Sequence, residues 1–559
     1  MKRFSRSPAA YAAALALLLY ACAEQDPLVA PADDLLWHVP ADTAYVIHNR
    51  APLPAAFTEK WLRITGDLLG WYRELLAREM GAAHDGDAVR LLALADALLE
   101  ELEPNMSPSG LDRLGLRADG RAVVFADGLL PGGRHEIADR ERVWSFIERL
   151  EQRLAAGAER RRFGAVEYLR VPFGAVTFLL GIPEQELVWA LVRREDETAR
   201  LPLLFGDAQP PVSLAGTGAF GELLAREGFP GFGDGYVDLR RLFVAARTSA
   251  PPGQGGAIAD PACSALAERL LEGVPRLVFG TTAVSGTRFS SRMLIETDAV
   301  VGERLAGLAH PVRGLGESDD ALFAFGMGVE IPRLRGGLRE LLRYLAAAGG
   351  DCPAVNSAAI DRTLPQLEVA LGPMTAMFKG MYLELLELEM PPGGEAPAPV
   401  SFRAVAEVDD PRGVFAMAGL LNPSLAQLEV PTDGTPTPVP ADLLPAAAPP
   451  LAVAIRDRSL ALGAGPDGAR LAGELVAAEP LDPPPLLVAS YDVARFTRLM
   501  GALSSDYVAA IAAQRGQDPS ELMADLEASR RMYAAYDRAS LTVTAGRRGL
   551  QVDQTIRLK

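Results

Sequence analysis

Residues 451–476, LAVAIRDRSLALGAGPDGARLAGELV, contain the pattern that decides the fold of this 559-residue chain. Two apolar-rich runs, LAVAI and SLALG, flank the short polar link RDR, and this arrangement predicts an antiparallel β-hairpin. After a turn containing glycine and proline, leucine and valine recur at helical spacing, which predicts an amphipathic helix. The sequence therefore predicts a building block made of a hairpin followed by a helix.

Related patterns recur along the chain. A hairpin or strand followed by a helix is predicted at 121–150, 276–308, 401–421 and 451–476, and 540–558 forms a closing strand pair. A short strand that leads directly into a helix is predicted at 43–61, 235–246, 321–342 and 486–500. Hairpins alternating with helices favour an α+β fold with antiparallel sheets and helices packed on one side. Because both patterns occur in each half, we expect two related halves, an N-terminal α+β half over 36–310 and a C-terminal α+β half over 311–559.

The N-terminus has the features of an export signal. Three cations, Lys2, Arg3 and Arg6, precede an apolar stretch over 9–19 that is too short to span a bilayer. The following Leu-Tyr-Ala-Cys, ending at Cys22, resembles the lipobox of bacterial lipoproteins, in which the cysteine is lipidated and becomes the first mature residue. We therefore expect a signal peptide over 1–21 and lipidation of Cys22; an ordinary signal peptide with an incidental cysteine is the alternative.

Composition limits the partners of the chain. It contains 72 acidic and 55 basic residues, giving a net charge of −17 that disfavours nucleic acid as a partner. Residues 22–35 are polar, acidic and proline-containing, which is typical of a flexible tether. Membrane contact is expected through acyl chains such as palmitate on the N-terminal cysteine. Because Ala23 rather than aspartate follows that cysteine, the bacterial sorting rule favours the outer membrane over the inner.

The cysteine count indicates one disulfide. Of three cysteines, Cys22 is assigned to the lipid, which leaves Cys263 and Cys352. Two thiols in an oxidising compartment predict a disulfide between them, and two separately buried free thiols are the alternative. No Cys-x-x-Cys occurs in the sequence, so a thioredoxin-like pair and a zinc knuckle are excluded.

No motif predicts a metal, cofactor or catalytic site. The five histidines, none at a metal-ligand spacing from another, are His38, His48, His84, His135 and His310. His48 is interpreted as a strand residue. The metal reading of His84-Asp85-Gly86-Asp87 is weaker than helix capping. Neither Gly-x-Ser-x-Gly nor Ser-x-x-Lys is present.

Three further patterns have structural interpretations. Two Gly-x-Gly-x-x-Gly strings occur, at Gly216, Gly218 and Gly221 and at Gly463, Gly465 and Gly468. The second follows a strand and precedes a helix, with Asp492 beyond, but that strand is predicted to be a hairpin arm, which a dinucleotide fold does not use. Glu384, Glu387 and Glu389 alternate with leucines, which favours a solvated face over an acid–base pair. Arg160-Arg161-Arg162 is interpreted as a solvated turn.

Several short strings are spaced along the chain. The first is Pro40-Ala41-Asp42-Thr43-x-Tyr45, followed by a strand and a helix ending in Lys60-Trp61. The others are GLRADGR at 115–121, GYVDL at 235–239, PRLVFG at 275–280, PACSALAERL and GDCPAVN. Together these strings resemble an uncharacterised family of proteobacterial envelope lipoproteins with a domain of unknown function. The resemblance covers roughly 36–460 and implies an exported, anchored protein without an assigned activity.

The sequence thus favours a membrane-anchored periplasmic lipoprotein with a non-catalytic binding or scaffolding role, an envelope protein as partner and no cofactor. One alternative is a carrier of apolar ligands, whose Leu- and Ala-rich helices would line a cavity. The other is a hydrolase whose site assembles in space, for instance around His48 or His135. A deep apolar cavity would support the first alternative, and a cleft with convergent titratable groups would support the second.

Overall fold

The structure is a computed structural model that describes residues 34–82, 86–154, 157–206, 208–249, 256–389, 398–421, 428–444, 448–501 and 505–559. The predicted signal peptide over 1–21, Cys22, most of the predicted tether and His84 lie outside the described residues. Within the described ranges, no helix combines the length and the apolar character needed to cross a membrane.

The described strands and helices have the following bounds. The strands are β1 (Tyr45–Asn49), β2 (Ala122–Asp127), β3 (Leu130–Glu136), β4 (Glu159–Phe163), β5 (Val166–Phe173), β6 (Val176–Gly181), β7 (Glu186–Arg193), β8 (Asp234–Asp238), β9 (Arg276–Val284), β10 (Arg288–Glu296), β11 (Phe323–Gly328), β12 (Phe378–Glu389), β13 (Ala398–Val408), β14 (Thr437–Pro438), β15 (Leu451–Arg456), β16 (Ser459–Ala464), β17 (Pro485–Asp492), β18 (Tyr536–Gly546) and β19 (Gly549–Leu558). The α-helices are α1 (Ala55–Ala82), α2 (Gly86–Leu102), α3 (Pro108–Arg113), α4 (Arg140–Leu154), α5 (Glu197–Phe205), α6 (Leu214–Thr217), α7 (Ala219–Glu227), α8 (Leu239–Ser249), α9 (Gly256–Ala259), α10 (Pro261–Gly273), α11 (Ala299–Ala306), α12 (Ile331–Ala348), α13 (Ser357–Ala370), α14 (Pro373–Ala376), α15 (Pro411–Leu421), α16 (Gly468–Ala477), α17 (Val493–Gly501), α18 (Ser505–Arg515) and α19 (Pro519–Tyr533).

Contacts divide the chain into two compact units. The first comprises the described residues within Met1–Gln254 and Arg276–Arg292, and the second comprises those within Gly255–Pro275 and Met293–Lys559. The boundary within β10 therefore lies earlier than the junction near residue 310 that the sequence suggested, and α9 and α10 belong to the second unit. The division into 36–310 and 311–559 concerns sequence order and stays a prediction.

The first unit contains an antiparallel arrangement of strands in the order β4-β5-β6-β7-β3-β2-β1-β8-β9. Helices α1, α2 and α4 cover one face, where Leu69, Leu98 and Phe146 pack with Phe178 and Trp189 in one core. The predicted α+β class with antiparallel sheets is therefore confirmed for this unit.

The expectation of helices on one side only is wrong for β6 and β7. In β7 six consecutive residues are buried, so both faces of the strand are covered. Trp189 faces the core below α1, α2 and α4, whereas its neighbours Val188 and Ala190 pack in a second core with Phe205 of α5. The physical reason is that successive strand side chains point to opposite faces, and here both sets are apolar.

The second unit is also antiparallel, with strands in the order β14-β15-β16-β13-β12-β11-β17-β18-β19. The stretch 451–476 forms the predicted block: β15 and β16 pair as a hairpin, and α16 follows. Ala472 and Leu475 of α16 pack against Ala454 and Ala461 of the hairpin, all at most 2% exposed. The tight link between the strands places Asp457 at φ 53°, so the turn is shorter than the three residues predicted.

The two cysteines that were predicted to pair lie together in the second unit. Cys263 is in the first turn of α10, and Cys352 follows α12. Their Cα atoms are 4.7 Å apart and their sulfur atoms are at bonding distance, which is the geometry of a disulfide. The link closes a loop with a sequence separation of 89 and joins α10 to the segment after α12.

Candidate functional site

The best candidate for a functional site is a cavity of about 220 Å³ in the first unit. We call it the Tyr236 cavity. It is bounded by α6, α7, the end of β8, the start of α8 and β9, and the turn before β1. Its lining consists of Ala41, Leu214, Thr217, Ala219, Phe220, Leu223, Tyr236, Asp238, Arg241 and Arg276.

The polar side of the cavity is built at the junction of β8 and α8. Asp238 ends the strand, and its Oδ1 accepts a hydrogen bond of 2.9 Å from the backbone N–H of Arg241, which caps the helix. The Arg241 guanidinium donates to the carbonyl oxygens of Ala41, at 2.8 Å, and Thr43, at 3.3 Å. In the neighbouring strand, Arg276 is the register partner of Asp238. This register places an aspartate and two arginines at one corner, which we call the Asp–Arg–Arg corner.

The opposite side of the cavity is apolar. Its residues include Leu214 of α6 and Phe220 and Leu223 of α7, each at most 4% exposed. The Phe220 ring meets the Tyr236 ring edge to face at a centroid distance of 5.9 Å. The Arg276 guanidinium lies over the same tyrosine ring, 5.8 Å from its centroid. Burial raises the pKa of the Tyr236 phenol, so the hydroxyl stays protonated and able to donate.

Three of the strings that the sequence analysis quoted meet at this cavity. Ala41 belongs to the opening string, Tyr236 and Asp238 belong to GYVDL, and Arg276 belongs to PRLVFG. The first Gly-x-Gly-x-x-Gly string also borders it, because Gly218, with φ 67°, joins α6 to α7. That string follows no strand, so it is a helix–helix joint and not a dinucleotide motif. The apolar lining was missed because its residues carry only ordinary helical periodicity.

A second cavity in the first unit, beside the buried Arg134, is much smaller. Its volume is about 40 Å³, which is room for roughly one water molecule. The Arg134 guanidinium donates to Glu186, at 2.8 Å, and to the carbonyl oxygens of Leu203 and Leu204. We interpret this place as structural, because the Arg134 guanidinium is held by these internal acceptors.

A buried pair of polar residues lies between β1 and β8, near the Tyr236 cavity. His48 and Asp234 are register partners and are 1% and 0% exposed. The imidazole meets Phe220 edge to face at 6.0 Å. Asp234 Oδ1 accepts from the N–H of Thr281 at 3.1 Å, while Oδ2 has no hydrogen-bond partner among the described residues. Burial raises the Asp234 pKa to about 7. Neither member of the pair lines the cavity, and His48 lies on a strand as predicted.

The prediction of a solvated face at Glu384 is wrong. Glu384 is 2% exposed and accepts a hydrogen bond of 2.5 Å from the Tyr382 hydroxyl. Arg403, its register partner in β13, donates to the other carboxylate oxygen. Glu387 is exposed as predicted, and the side chain of Glu389 lies outside the described residues. The alternation of Glu and Leu could not reveal which face is covered.

The prediction of a turn at Arg160–Arg162 is also wrong. These residues lie on β4, and all three are exposed. Arg160 pairs with Glu148 and Glu151 of α4, and its guanidinium lies 5.2 Å from the Trp144 ring centroid. The cluster is therefore solvated, as expected, but it lies on a strand, and Arg160 and Arg161 are paired with carboxylates.

Two further histidines, His135 and His310, contact neighbouring polar groups. His135 shares a hydrogen bond with the carbonyl oxygen of Arg117, and burial lowers its pKa. His310 lies 2.7 Å from Glu330. In the part of the chain that the structure describes, no three His, Cys, Asp or Glu side chains could together hold a metal ion.

The second Gly-x-Gly-x-x-Gly string is a packing device. Gly463 is the last residue but one of β16, an arm of the antiparallel hairpin as predicted, and Gly468 begins α16. A Cβ atom added at Gly463 would lie 2.0 Å from the Gly468 carbonyl oxygen. The glycines are therefore required for close contact between strand and helix. Asp492 lies on β17, which pairs with β11 and β18. The Asp492 carboxylate caps the following helix, α17.

The second unit contains its own Asp–Arg–Arg corner. Asp492 Oδ1 accepts from the N–H of Arg495 at 2.7 Å, as Asp238 does for Arg241. The register partner of Asp492 is Arg538, as Arg276 is for Asp238. Arg538, however, is only 8% exposed. It donates to the carbonyl oxygens of Ser318, at 2.7 Å, and Ala321, at 3.1 Å. The Asp–Arg–Arg corner of the second unit is thus filled with internal contacts, whereas that of the first unit borders the Tyr236 cavity.

No family model, no curated protein and no solved structure matches this chain.

Proposed function

We propose that this protein is an exported lipoprotein of the cell envelope, held in the membrane by acyl chains at Cys22 and facing the periplasm. The outer membrane is the proposed location, and the resemblance to the uncharacterised envelope lipoprotein family supports the same assignment. The geometry of Cys263 and Cys352 adds support, because disulfides persist in oxidising compartments such as the periplasm.

We further propose that its role is non-catalytic: binding, with the Tyr236 cavity as the binding site, or scaffolding. The proposed partner in scaffolding is an envelope protein. The observation that carries this proposal is the convergence of three separated strings of sequence on one cavity with an apolar side and a cationic side. The described lining contains one carboxylate, on Asp238, and one aliphatic hydroxyl, on Thr217, and it contains no imidazole. Such a lining suits recognition better than hydrolysis, which needs a base beside a nucleophile.

The carrier alternative retains a specific observation in its favour. Leu214, Phe220 and Leu223 give the cavity an apolar side, which is the feature of a carrier. Its volume of about 220 Å³ is below the roughly 300–1,000 Å³ of drug-sized sites, so the cargo of such a carrier would be small.

We also infer that the chain contains two related halves, 36–310 and 311–559. What supports this is the order of strands: β6-β7-β3-β2-β1-β8-β9 in the first unit and β15-β16-β13-β12-β11-β17-β18 in the second. The two Asp–Arg–Arg corners occupy corresponding places in these orders. An experimental structure tests the inference: β11, β12, β13 and β17 should superpose on β1, β2, β3 and β8, and a different strand order in either unit would contradict it.

The anchor is tested by labelling cells with an alkyne analogue of palmitate. The wild-type protein should incorporate label and fractionate with outer membranes, and Cys22→Ser should do neither. Cys263→Ser combined with Cys352→Ser is the matched control, because it removes thiols without touching the proposed anchor. Normal labelling of Cys22→Ser, or recovery of the wild type only in inner membranes, would contradict the assignment.

The binding role is tested by native mass spectrometry of protein isolated from envelopes. The wild type should carry a small adduct, which Ala219→Trp should abolish by filling the cavity from α7. Ala225→Trp, on the same helix but outside the lining, is the matched control. An adduct that survives Ala219→Trp, or its absence from every preparation, would contradict binding at this site.

A further inference from the structure

We propose that the second unit has a separate binding site for one acyl chain of a lipid, on the face of its sheet that α16 does not cover. This site is distinct from the Tyr236 cavity, which lies in the first unit. On β11 the face is formed by Phe323, Phe325 and Met327, and their register partners in β12 are Leu385, Leu383 and Met381. The positions paired with them in β13, β17 and β18 continue the same face, which we call the open sheet face.

The open sheet face is apolar and only partly covered. None of its side chains, three on each of five strands, carries a charge or an amide, and Tyr491 supplies its one hydroxyl. All of these residues are described and none is buried: Met381 is 44% exposed and Phe323 is 38% exposed. On the opposite face of the same strands, Tyr382 and Val488 are at most 1% exposed and pack in the core with α16. The sheet therefore has one filled face and one apolar face that stays accessible, which is typical of an interaction site.

In the first unit the corresponding face is buried by helices. Val124 pairs with Ile47 of β1 as Leu383 pairs with Phe325 of β11, and Val124 is 3% exposed in the core with α1, α2 and α4. In the second unit, α12 and α13 follow β11 as α1 and α2 follow β1, but neither α12 nor α13 contains a buried residue. Leu341 of α12 is itself 45% exposed. These two helices therefore do not complete a core over the open sheet face.

The dimensions of the open sheet face favour a lipid chain over a second copy of the protein. Five strands about 4.8 Å apart, with alternate positions at about 3.4 Å per residue, span roughly 19 Å by 14 Å. The resulting area of about 270 Å² is a third of the roughly 800 Å² that each partner buries in a stable protein–protein interface. The width of about 19 Å exceeds the depth of one membrane leaflet, about 15 Å or half of the hydrocarbon core. One acyl chain of ordinary membrane length can therefore lie across the five strands.

The chemistry of the face favours hydrocarbon over peptide. A bound peptide would bring backbone N–H and C=O groups that need hydrogen-bond partners. The strands β11, β12, β13, β17 and β18 each pair with a neighbour on both sides, so their own backbone groups are engaged. A hydrocarbon chain needs no such partner, and its burial against apolar side chains is favourable.

One end of the open sheet face offers donors for the polar head of a lipid. The Tyr491 hydroxyl interacts electrostatically with the phenols of Tyr533 and Tyr536, whose rings meet at a centroid distance of 6.2 Å. Burial raises the pKa of Tyr491 and of Tyr536, so both hydroxyls stay protonated and able to donate. A carboxylate or ester at the end of the chain would accept from these phenols. The chain would then extend from Tyr491 over Phe323 and Leu385, which follow it across the register.

The inference is tested by photolabelling the full-length protein in nanodiscs with a palmitate analogue that carries a diazirine and an alkyne. Labelling should saturate, unlabelled palmitate should compete with it, and the labelled peptides should contain β11 and β12. Met381→Asp should lower this labelling at least about tenfold, because it places a charge on the apolar face. Phe323→Asp, at the other exposed position, should do the same, and Met381→Leu should retain the labelling.

Leu481→Asp is the matched control, because Leu481 is 51% exposed between α16 and β17 and lies outside the open sheet face. It should leave the labelling unchanged. Each variant is first checked for an unchanged far-UV circular dichroism spectrum. Labelling that survives both aspartate variants, that is confined to the first unit, or that rises without saturation as contact with the bilayer would produce, would overturn the proposal. Disulfide-linked dimers of a Met381→Cys variant in envelopes would also overturn it, because they would place a second copy on this face.

Discussion

Seven strands of each unit can be aligned by their order in the sheet, and the polar groups buried at the aligned positions differ. In the first unit, His48 and Asp234 are paired across β1 and β8. The corresponding positions of the second unit are Gly326 and Val488, which pair across β11 and β17. Conversely, the second unit buries Glu384 opposite Arg403, where the first unit pairs Phe125 with Gly132.

This difference shows that a similar strand order can be combined with different buried polar residues. A sheet tolerates either choice as long as each buried polar group finds partners. Glu384 is satisfied by Tyr382 and Arg403, whereas Asp234 retains an oxygen without a hydrogen-bond partner among the described residues. Asp234 lies in the unit that contains the Tyr236 cavity, and Glu384 lies in the unit whose Asp–Arg–Arg corner is filled by internal contacts.

Tryptophan positions allow the two units to be followed separately. All five tryptophans, Trp37, Trp61, Trp71, Trp144 and Trp189, belong to the first unit. Tryptophan fluorescence therefore reports unfolding of the first unit, while far-UV circular dichroism reports both. Urea titrations monitored by both signals therefore distinguish unfolding of the first unit from unfolding of the second.

The largest expected effect concerns the covalent link of the second unit. Replacing both Cys263 and Cys352 by serine should lower its free energy of unfolding by about 4 kcal/mol, because the link closes a long loop in the unfolded chain. The circular dichroism transition should move to lower urea, and the fluorescence transition should stay in place. Unchanged circular dichroism would show that the link contributes little.

The next effect tests the buried ion pair. Glu384→Ala should destabilise the second unit by about 3 kcal/mol, since it leaves the Arg403 charge and the Tyr382 hydroxyl without their carboxylate. Glu387→Ala, exposed on the same strand, is the control and should change stability by less than about 0.5 kcal/mol. Similar costs for the two variants would show that Glu384 is solvated after all.

The two corner aspartates should differ in importance. Asp238→Ala removes a helix cap and should cost the first unit about 1 kcal/mol. Asp492→Ala removes the equivalent cap and also the carboxylate beside the buried Arg538, so it should cost the second unit about 2 kcal/mol or more. The urea midpoints by fluorescence and circular dichroism compare the two costs, and equal costs would contradict the contrast between the corners.

The stability of the first unit should also depend on pH. Because the Asp234 pKa rises from 3.8 to about 7, the folded state holds a proton that the unfolded chain releases. This stabilisation is fully present below about pH 4 and is lost as pH rises through 7. Asp234→Asn should flatten the dependence and raise the stability of the first unit at pH 8. Fluorescence-monitored urea titrations from pH 5 to 8 check this, and an unchanged slope in the variant would refute it.

The local blocks of the fold could be predicted from the sequence because their signals are local. The hairpin and helix of 451–476 follow from alternation, a tight turn and helical spacing, and the packing of Gly463 on Gly468 is consistent with them. The burial of Glu384 could not be predicted, because it depends on Arg403 from another strand. Strand alternation states that two faces differ, not which face is covered.

The sequence indicates only separate parts of the candidate site. The strings around Ala41, Tyr236 and Arg276 were recognised as separate short patterns, each with a simple reading as turn or strand chemistry. Their convergence depends on the pairing of β1 with β8 and of β8 with β9, which no local period encodes. Phe220 and Leu223 carried no signal, because apolar residues at helical spacing are equally typical of a filled core.

The central claim, that one corner borders a binding site while its counterpart holds the fold together, is tested most directly by comparing Ala219→Trp with Arg538→Gln. For each variant, the small adduct is followed by native mass spectrometry and stability by urea unfolding. Ala219→Trp should abolish the adduct and change the stability of the first unit by less than about 1 kcal/mol, because Ala219 is exposed. Arg538→Gln should leave the adduct in place and cost the second unit about 3 kcal/mol, because the carbonyl oxygens of Ser318 and Ala321 lose their buried donor. Equal effects of the two variants on both quantities would contradict the account.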